Sequence, residues 1–201
     1  MKLDELRKNL ITDISALDAE LFADMRSRIR EAGNGQFVHG MADSLDKYEK
    51  GVPIRPNLPN KMQFIYMRDR QNFSFVLMPE LLPIAYQVGR AIGASFDAPR
   101  RSGTTLEEVM ESAIGIASHF DYGRQEIVKI GDQFAVYRTY ECADCYGMPN
   151  IEKKLCAYEA GVAAGAIEVK LNKPVRVIET RCCANGDPFD EFEVYVEDVL
   201  R

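Results

Sequence analysis

An α+β fold, with helices packed on a mainly antiparallel sheet, is predicted by three features of this sequence. First, β-prone runs come in neighbouring pairs joined by short turn-forming segments, the connection that antiparallel strands use. Second, stretches with apolar residues three or four apart separate those pairs, the mark of helices with one buried face. Third, 201 residues at 46% apolar content suffice for one real core with an attached arm. No repeat period of the solenoid kind is present.

The elements follow in order. Leu3, Leu6, Leu10, Ile14, Leu17, Leu21, Met25 and Ile29 predict one long helix over residues 3–31, closed by Gly33 and Gly35. At 1.5 Å per residue it would be roughly 43 Å long, fit to cover the domain or to serve as a dimerisation arm. A short helix is expected at Met41–Lys50. The segment Val52–Lys61, VPIRPNLPNK, reads as an extended connector, because proline fixes φ and restricts the residue before it. The expected organisation is an N-terminal helical extension and connector, 1–62, followed by a domain at 63–201.

Gln63–Met67 and Asn72–Met78 are expected strands joined by RDRQ. Pro79 opens a helix to Ser95 that carries Gly89-x-x-x-Gly93, a pair that lets another backbone approach closely. Ser102–Thr105 caps the next helix, Thr105–Phe120. Gln125–Ile130 and Gln133–Thr139 form a hairpin about Gly131-Asp132. Asn150–Val169 is the last helix, with Gly161-x-x-x-Gly165 on it. Pro174–Thr180 and Phe189–Val196 form a second hairpin about Asn185–Pro188.

The net charge of −6 argues against a dominant nucleic-acid role, which needs a basic face. No apolar run approaches the roughly 20 residues that span a bilayer, so no membrane partner is expected. The start, MKLDELRKNL, lacks the apolar core of a secretory signal. The expected location is therefore the cytoplasm, where thiols stay reduced and clustered cysteines read as metal ligands or redox groups.

That matters because all five cysteines, Cys142, Cys145, Cys156, Cys182 and Cys183, fall between Tyr140 and Val194. Cys142-x-x-Cys145 leaves a strand and suits a metal grip. Cys156 sits near a helix start, where the dipole favours a thiolate. Cys182 ends a strand, with Glu179 before it and Asp190 after it across a short hairpin. Residues three apart on a regular strand face opposite ways, so Glu179 and Cys182 share a metal only if the strand bulges or ends between them. Two ligand sets follow: Cys156, Cys182, Glu179 and Asp190, or the four thiolates Cys142, Cys145, Cys156 and Cys182. Zinc suits both; an iron–sulfur cluster suits the second. Cys183 reads as a small buried or loop residue.

Three pieces together resemble the vinyl-4-reductase domain family, over about Phe75–Val194. They are VLMPELL…VGRAIG at 76–93, Glu141-Cys142-Ala-Asp-Cys145 leading to LCAYEAGVAAGA at 155–166, and VIETRC with GDPFDEFEV at 177–194. The resemblance implies a ligand-binding α+β domain of the nitric-oxide-signalling and Golgi-transport type, commonly dimeric, binding small apolar molecules. In the aromatic-sensing transcription activators such a domain carries a zinc. Its ligands there look like Cys156, Glu179 and Cys182, with a cysteine where this chain has Asp190. Asp190 then coordinates in its place, or Cys142 or Cys145 substitutes.

A hydride-transferring reductase needs a cofactor site, and the sequence has no Gly-x-Gly-x-x-Gly after a strand and no phosphate loop. His39 and His119 read as loop and helix-end residues, and no catalytic residues are assigned. Phe120, Phe134, Tyr137, Tyr140 and Tyr158 are candidates to line an apolar pocket. The expected function is a zinc-stabilised domain that binds or senses a small apolar molecule, acting as a homodimer or through a partner. The alternative is a reductase or accessory protein of tetrapyrrole vinyl-group metabolism.

Overall fold

The computed structural model describes residues 47, 49–59, 79–95, 104–119 and 121–197. The helix expected at 3–31, the strands expected at Gln63–Met67 and Asn72–Met78, His39 and Phe120 lie outside the described residues, as does most of the helix expected at Met41–Lys50.

Within them, three helices pack on a four-stranded antiparallel sheet, the α+β arrangement expected. After a 3-10 turn at Pro79–Leu81 come α1 (Leu82–Ser95), α2 (Leu106–His119), β1 (Arg124–Ile130), β2 (Phe134–Tyr140), α3 (Ala157–Leu171), β3 (Val175–Arg181) and β4 (Asp190–Val196). The sheet order is β1-β2-β4-β3. The two hairpins thus meet through β2 and β4, whose register pairs Tyr137 with Phe192.

Strict alternation in β2 and β4 fixes which face is buried. Ala135, Tyr137 and Thr139 point inward from β2; Asp190, Phe192, Val194 and Val196 do so from β4. The rings of Tyr137 and Phe192 stack at 4.9 Å. On the opposite face Arg138 pairs with Glu191 at 2.8 Å, and Phe134 lies against Tyr195.

Helix α2 begins with a reciprocal cap. Glu108 N–H donates to Thr105 Oγ1, and Thr105 N–H donates to Glu108 Oε2. Leu106, Val109 and Met110 then turn inward.

Helices α1 and α3 meet backbone to backbone through the two small-residue pairs. A Cβ on Gly89 would lie 2.2 Å from the Tyr158 carbonyl oxygen, and one on Gly93 2.0 Å from that of Val162. From the other side, a Cβ on Gly161 would meet Tyr86 O at 2.1 Å, and one on Gly165 would meet Arg90 O at 2.0 Å. Only glycine permits this approach. Arg90 and Glu168 clamp the crossing with a bidentate ion pair.

One boundary differs from the sequence expectation. The last helix starts at Ala157, not Asn150. Asn150 Oδ1 accepts the N–H of Glu152, whose φ is 56°, and Ile151 N–H donates to Ala184 O. Local side-chain bonding of this kind competes with helix formation. The displaced start puts Cys156 at the N-cap of α3. At the other end Asn172, in the left-handed region with φ 53°, closes the helix.

Part of the proline-rich segment is docked beside the first cysteine pair. Arg55, 2% exposed, donates to the carbonyls of Asp121 and Glu141. The Glu141 carboxylate accepts the N–H groups of Asn57 and Leu58 and the Asn57 side-chain amide. Glu141 itself has φ 53°, a turn that sends the chain from β2 into Cys142.

Candidate metal centre

Four separate pieces of backbone deliver the thiols and carboxylates to one place. The loop after β2 brings Cys142 and Cys145. It is closed by Tyr146 N–H to Cys142 O, and Asp144 N–H points at the Cys142 sulfur from 3.4 Å. The N-cap of α3 brings Cys156. Strand β3 and its end bring Glu179 and Cys182, and the first residue of β4 brings Asp190.

The condition set by strand geometry is met. The β3–β4 register shifts between Glu179 and Arg181, so Glu179 faces Phe192 while Arg181 faces Glu191. Thr180 is the extra residue, its hydroxyl bonded to Glu191 O. This bulge and the end of the strand turn Glu179 and Cys182 to the same side.

The donor atoms of Cys156, Glu179, Cys182 and Asp190 all lie within 4.8 Å of one another. Those of Cys142, Cys145, Cys156 and Asp190 form a second such group. Cys142 and Cys182 share no group, so the four thiolates are not gathered as one set. Cys156 Sγ is 4.0 Å from Cys182 Sγ and 3.5 Å from Asp190 Oδ2; Cys145 Sγ is 3.0 Å from both Asp190 oxygens. All four of these cysteines and Asp190 are fully buried, and Glu179 is 9% exposed. All five cysteines are free thiols. Cys183 is buried too, and its N–H donates to Asp190 Oδ1 at 2.8 Å.

Two residues of the cluster escape sequence reasoning. Glu159 is three residues after Cys156, hence on the same helix face, a spacing that is visible in the sequence. Its carboxylate takes the Cys142 thiol at 3.6 Å, together with Gln125 Nε2 and Thr139 Oγ1. Asp144, 2% exposed, bonds the Tyr122 hydroxyl and forms a third group with Cys142, Cys156 and Glu159.

The electrostatics are those of acids pressed together out of water. Burial pushes the Cys142 thiol up to about 12 and raises Cys145. The Cys156 thiol is raised chiefly by its contact with Cys142. Burial raises Glu159 and Glu179 and lifts Asp190 to about 7. Only Cys182 is lowered, by hydrogen bonds from Cys145 and Cys156. A set of buried acids holds its protons until a cation takes their place.

The residues fit such a cation. Glu179 Oε2 accepts the Cys156 N–H at 3.0 Å, while Glu179 Oε1 is buried without a hydrogen-bond partner. An orphaned buried carboxylate oxygen beside two thiols is a donor waiting for an acceptor of its lone pair. The cluster can hold a metal ion.

A cleft of about 530 Å³ adjoins it, between α1, α3 and the edge strand β3. Tyr86, Ala157, Ala160, Val177 and Ile178 line it, and Glu179 lies in both the cleft wall and the cluster. The Tyr86 hydroxyl accepts the outward N–H of Val177. Of the aromatic residues expected at a pocket, the four described ones are placed elsewhere. Tyr137 is in the core, Phe134 and Tyr140 pack against Tyr195 and Phe189, and Tyr158 touches α1 through its carbonyl. His119 is exposed at the end of α2. Among the described residues, no helix is long and apolar enough to cross a membrane.

Several known proteins are similar to parts of this chain. The uncharacterized protein MJ0150 of Methanocaldococcus jannaschii is 32% identical over 117 residues, 58% of this chain and 66% of that protein. The match thus spans just under two thirds of that relative's length. Among solved structures, subunit 3 of a trafficking protein particle complex from Naegleria fowleri, covalently bound to palmitic acid, aligns with TM-score 0.45 at 21% identity, over 61% of this chain and 81% of that one. The phenol-responsive sensory domain of the transcription activator PoxR, with phenol, aligns with TM-score 0.47 at 11% identity, over 78% and 90%. A vinyl-4-reductase family protein from Methanocaldococcus jannaschii aligns with TM-score 0.44 at 18% identity, over 72% and 87%. The family model of the vinyl-4-reductase domain matches residues 135–195, the span from β2 through β4 that contributes every residue of the cluster. Residues 135–195 of this chain are a vinyl-4-reductase domain.

Proposed function

We propose that this protein binds a small apolar molecule beside a zinc ion held by Cys156, Glu179, Cys182 and Asp190. The observation that carries the reading is the unpartnered Oε1 of Glu179, buried in a group of four donors. Two thiolates and two carboxylates suit zinc, which is four-coordinate in structural sites and takes sulfur and oxygen donors alike. Zinc supplies no redox chemistry; its part is to tie the start of α3 to the β3–β4 hairpin. Asp190 stands where a cysteine would be expected from the family resemblance, and its place within 4.8 Å of the other three donors supports it as the fourth ligand.

Glu179 joins the two halves of the proposal. Because it also lies in the cleft wall, a molecule seated against Val177 and Ile178 rests on a strand that the ion fixes. Ligand occupancy is then relayed to a second protein surface. Helix α1 exposes Ile84, Val88 and Ile92 in one stripe, which supports self-association as that output. Ile84→Glu with Val88→Glu should lower the mass found by sedimentation; an unchanged mass would reject the stripe.

The test is elemental analysis of reduced, purified protein, with Cys156→Ser and Cys182→Ser as comparisons. Bound zinc that is lost in both variants supports the reading, and wild type without metal rejects it. Ligand binding is tested with the apolar dye anilinonaphthalene sulfonate. Saturable binding that Ile178→Trp abolishes places it in the cleft; binding that ignores the substitution removes the cleft from the account.

A further inference from the structure

We infer that the cluster holds two divalent ions, bridged by the Cys156 thiolate and the Asp190 carboxylate. This rests on the metal reading above and goes beyond its single ion. The six residues Cys142, Cys145, Cys156, Glu179, Cys182 and Asp190 form two four-donor groups, and the two groups share Cys156 and Asp190. Thiolate sulfur and a carboxylate with two oxygens are the donor types able to bind two ions at once. Sharing is what lets six residues complete two four-coordinate sites.

The distances agree. Around a tetrahedral ion with bonds of 2.0–2.3 Å, neighbouring donors sit roughly 3.3–3.8 Å apart. The 3.5 Å from Cys156 Sγ to Asp190 Oδ2 is such an edge, and the 4.0 Å between Cys156 and Cys182 is close to one. Cys145 Sγ lies 3.0 Å from both Asp190 oxygens, the spacing of a thiol that donates its proton there. An ion replacing that proton would join the same two residues.

A separate feature points to an occupant on the Cys142 side. The Tyr137 hydroxyl is buried, has no hydrogen-bond partner, and is acted on by Glu159, Cys142 and Cys156. It is an unused donor aimed at the group that a single ion held by Glu179 and Cys182 would leave empty. The other group containing Cys142 draws on Asp144 and Glu159, but both already have partners, in Tyr122 and in Gln125 with Thr139. Glu159 is therefore assigned to orient Cys142 and not to bind the ion.

The experiment is titration of metal-free, reduced, full-length protein with Co²⁺, followed by its visible bands and by electron paramagnetic resonance, with zinc content per chain measured in parallel. Two equivalents at saturation are expected, with the resonance signal weakening as the second ion enters, because spins joined through a thiolate couple. Cys142→Ser with Cys145→Ser should saturate at one equivalent, and Glu159→Gln at two. Saturation of wild type at one equivalent overturns the second ion and leaves the single-ion reading intact, whereas no binding at all rejects both. Iron with acid-labile sulfide in place of two separate ions also overturns it. Because the wild-type stoichiometry decides the question, a variant that fails to fold does not rescue the inference.

Discussion

Glu179 Oε2 accepts the backbone N–H of Cys156 at 3.0 Å, so a carboxylate on β3 caps the helix that carries one of the key thiols. One of its oxygens is spent on structure and the other is left without a partner in a buried place. The bulge at Thr180 makes this possible, since without it Glu179 and Cys182 would face opposite sides of the strand.

Glu179→Gln keeps an oxygen to accept from Cys156 but removes the charge. Losing even a supporting partner of a metal ligand typically costs about 10–100-fold in affinity. We expect zinc affinity to fall by at least about tenfold in competition with a chromophoric chelator, with the metal-free circular dichroism unchanged. Unaltered affinity would remove Glu179 from the site.

Because the ligands come from four backbone pieces, binding energy is also folding energy. A ligand present at about 1,000 times its dissociation constant stabilises by about 4 kcal/mol, or roughly 10 °C in a domain of this size. Chelation under reducing conditions should lower the melting temperature by about that much, and zinc should restore it. A melting curve indifferent to chelation would contradict this.

The α1–α3 crossing gives a paired test. Gly93→Ala puts a methyl group 2.0 Å from a backbone oxygen, so the helices must part, at about 1–3 kcal/mol or more. Gly115→Ala on α2 meets nothing within 4 Å and should stabilise by about 0.5–1 kcal/mol. Urea unfolding of both variants checks it; equal effects would mean that the crossing is not close.

Metal affinity should climb with pH, because the ion must displace protons from Cys142, raised to about 12, and from Asp190, raised to about 7. Competition titrations between pH 6 and 8 should show this, and a flat profile would contradict it. The metal-free protein should run the other way. Glu159, Glu179 and Asp190 have folded values raised above their unfolded ones, near 4, so their contribution is present below about pH 4 and lost as pH rises toward 7. Cys182, shifted downward, opposes this, but three carboxyl groups outweigh one thiol. Metal-free protein should therefore unfold at lower urea at pH 8 than at pH 5; the reverse order would show that these carboxyl groups are not held protonated.

Strand positions are legible in the sequence within about a residue, because alternation in Phe134–Tyr140 and Asp190–Val196 reports a half-buried sheet directly. The glycine pairs announce a close crossing but not their partner, which is a matter of tertiary placement. The start of α3 is hidden because Asn150–Cys156 has helix-compatible spacing, while the Asn150 side chain and the positive φ of Glu152 decide otherwise. Of the cluster, the thiols, Glu179 and Asp190 are readable from type and spacing. Glu159 is not, since a glutamate in the first turn of a helix has an ordinary capping role. The cleft is not readable either: its walls are small and aliphatic residues of α3 and β3, which look like core in the sequence.

The most direct measurement of the central claim is X-ray absorption at the zinc edge of reduced, purified protein. We expect zinc to be present with a mixed shell, sulfur at about 2.3 Å and oxygen at about 2.0 Å, its sulfur part diminished in Cys182→Ser. Protein without zinc, or zinc surrounded by nitrogen and oxygen alone, would contradict a centre built on Cys156 and Cys182.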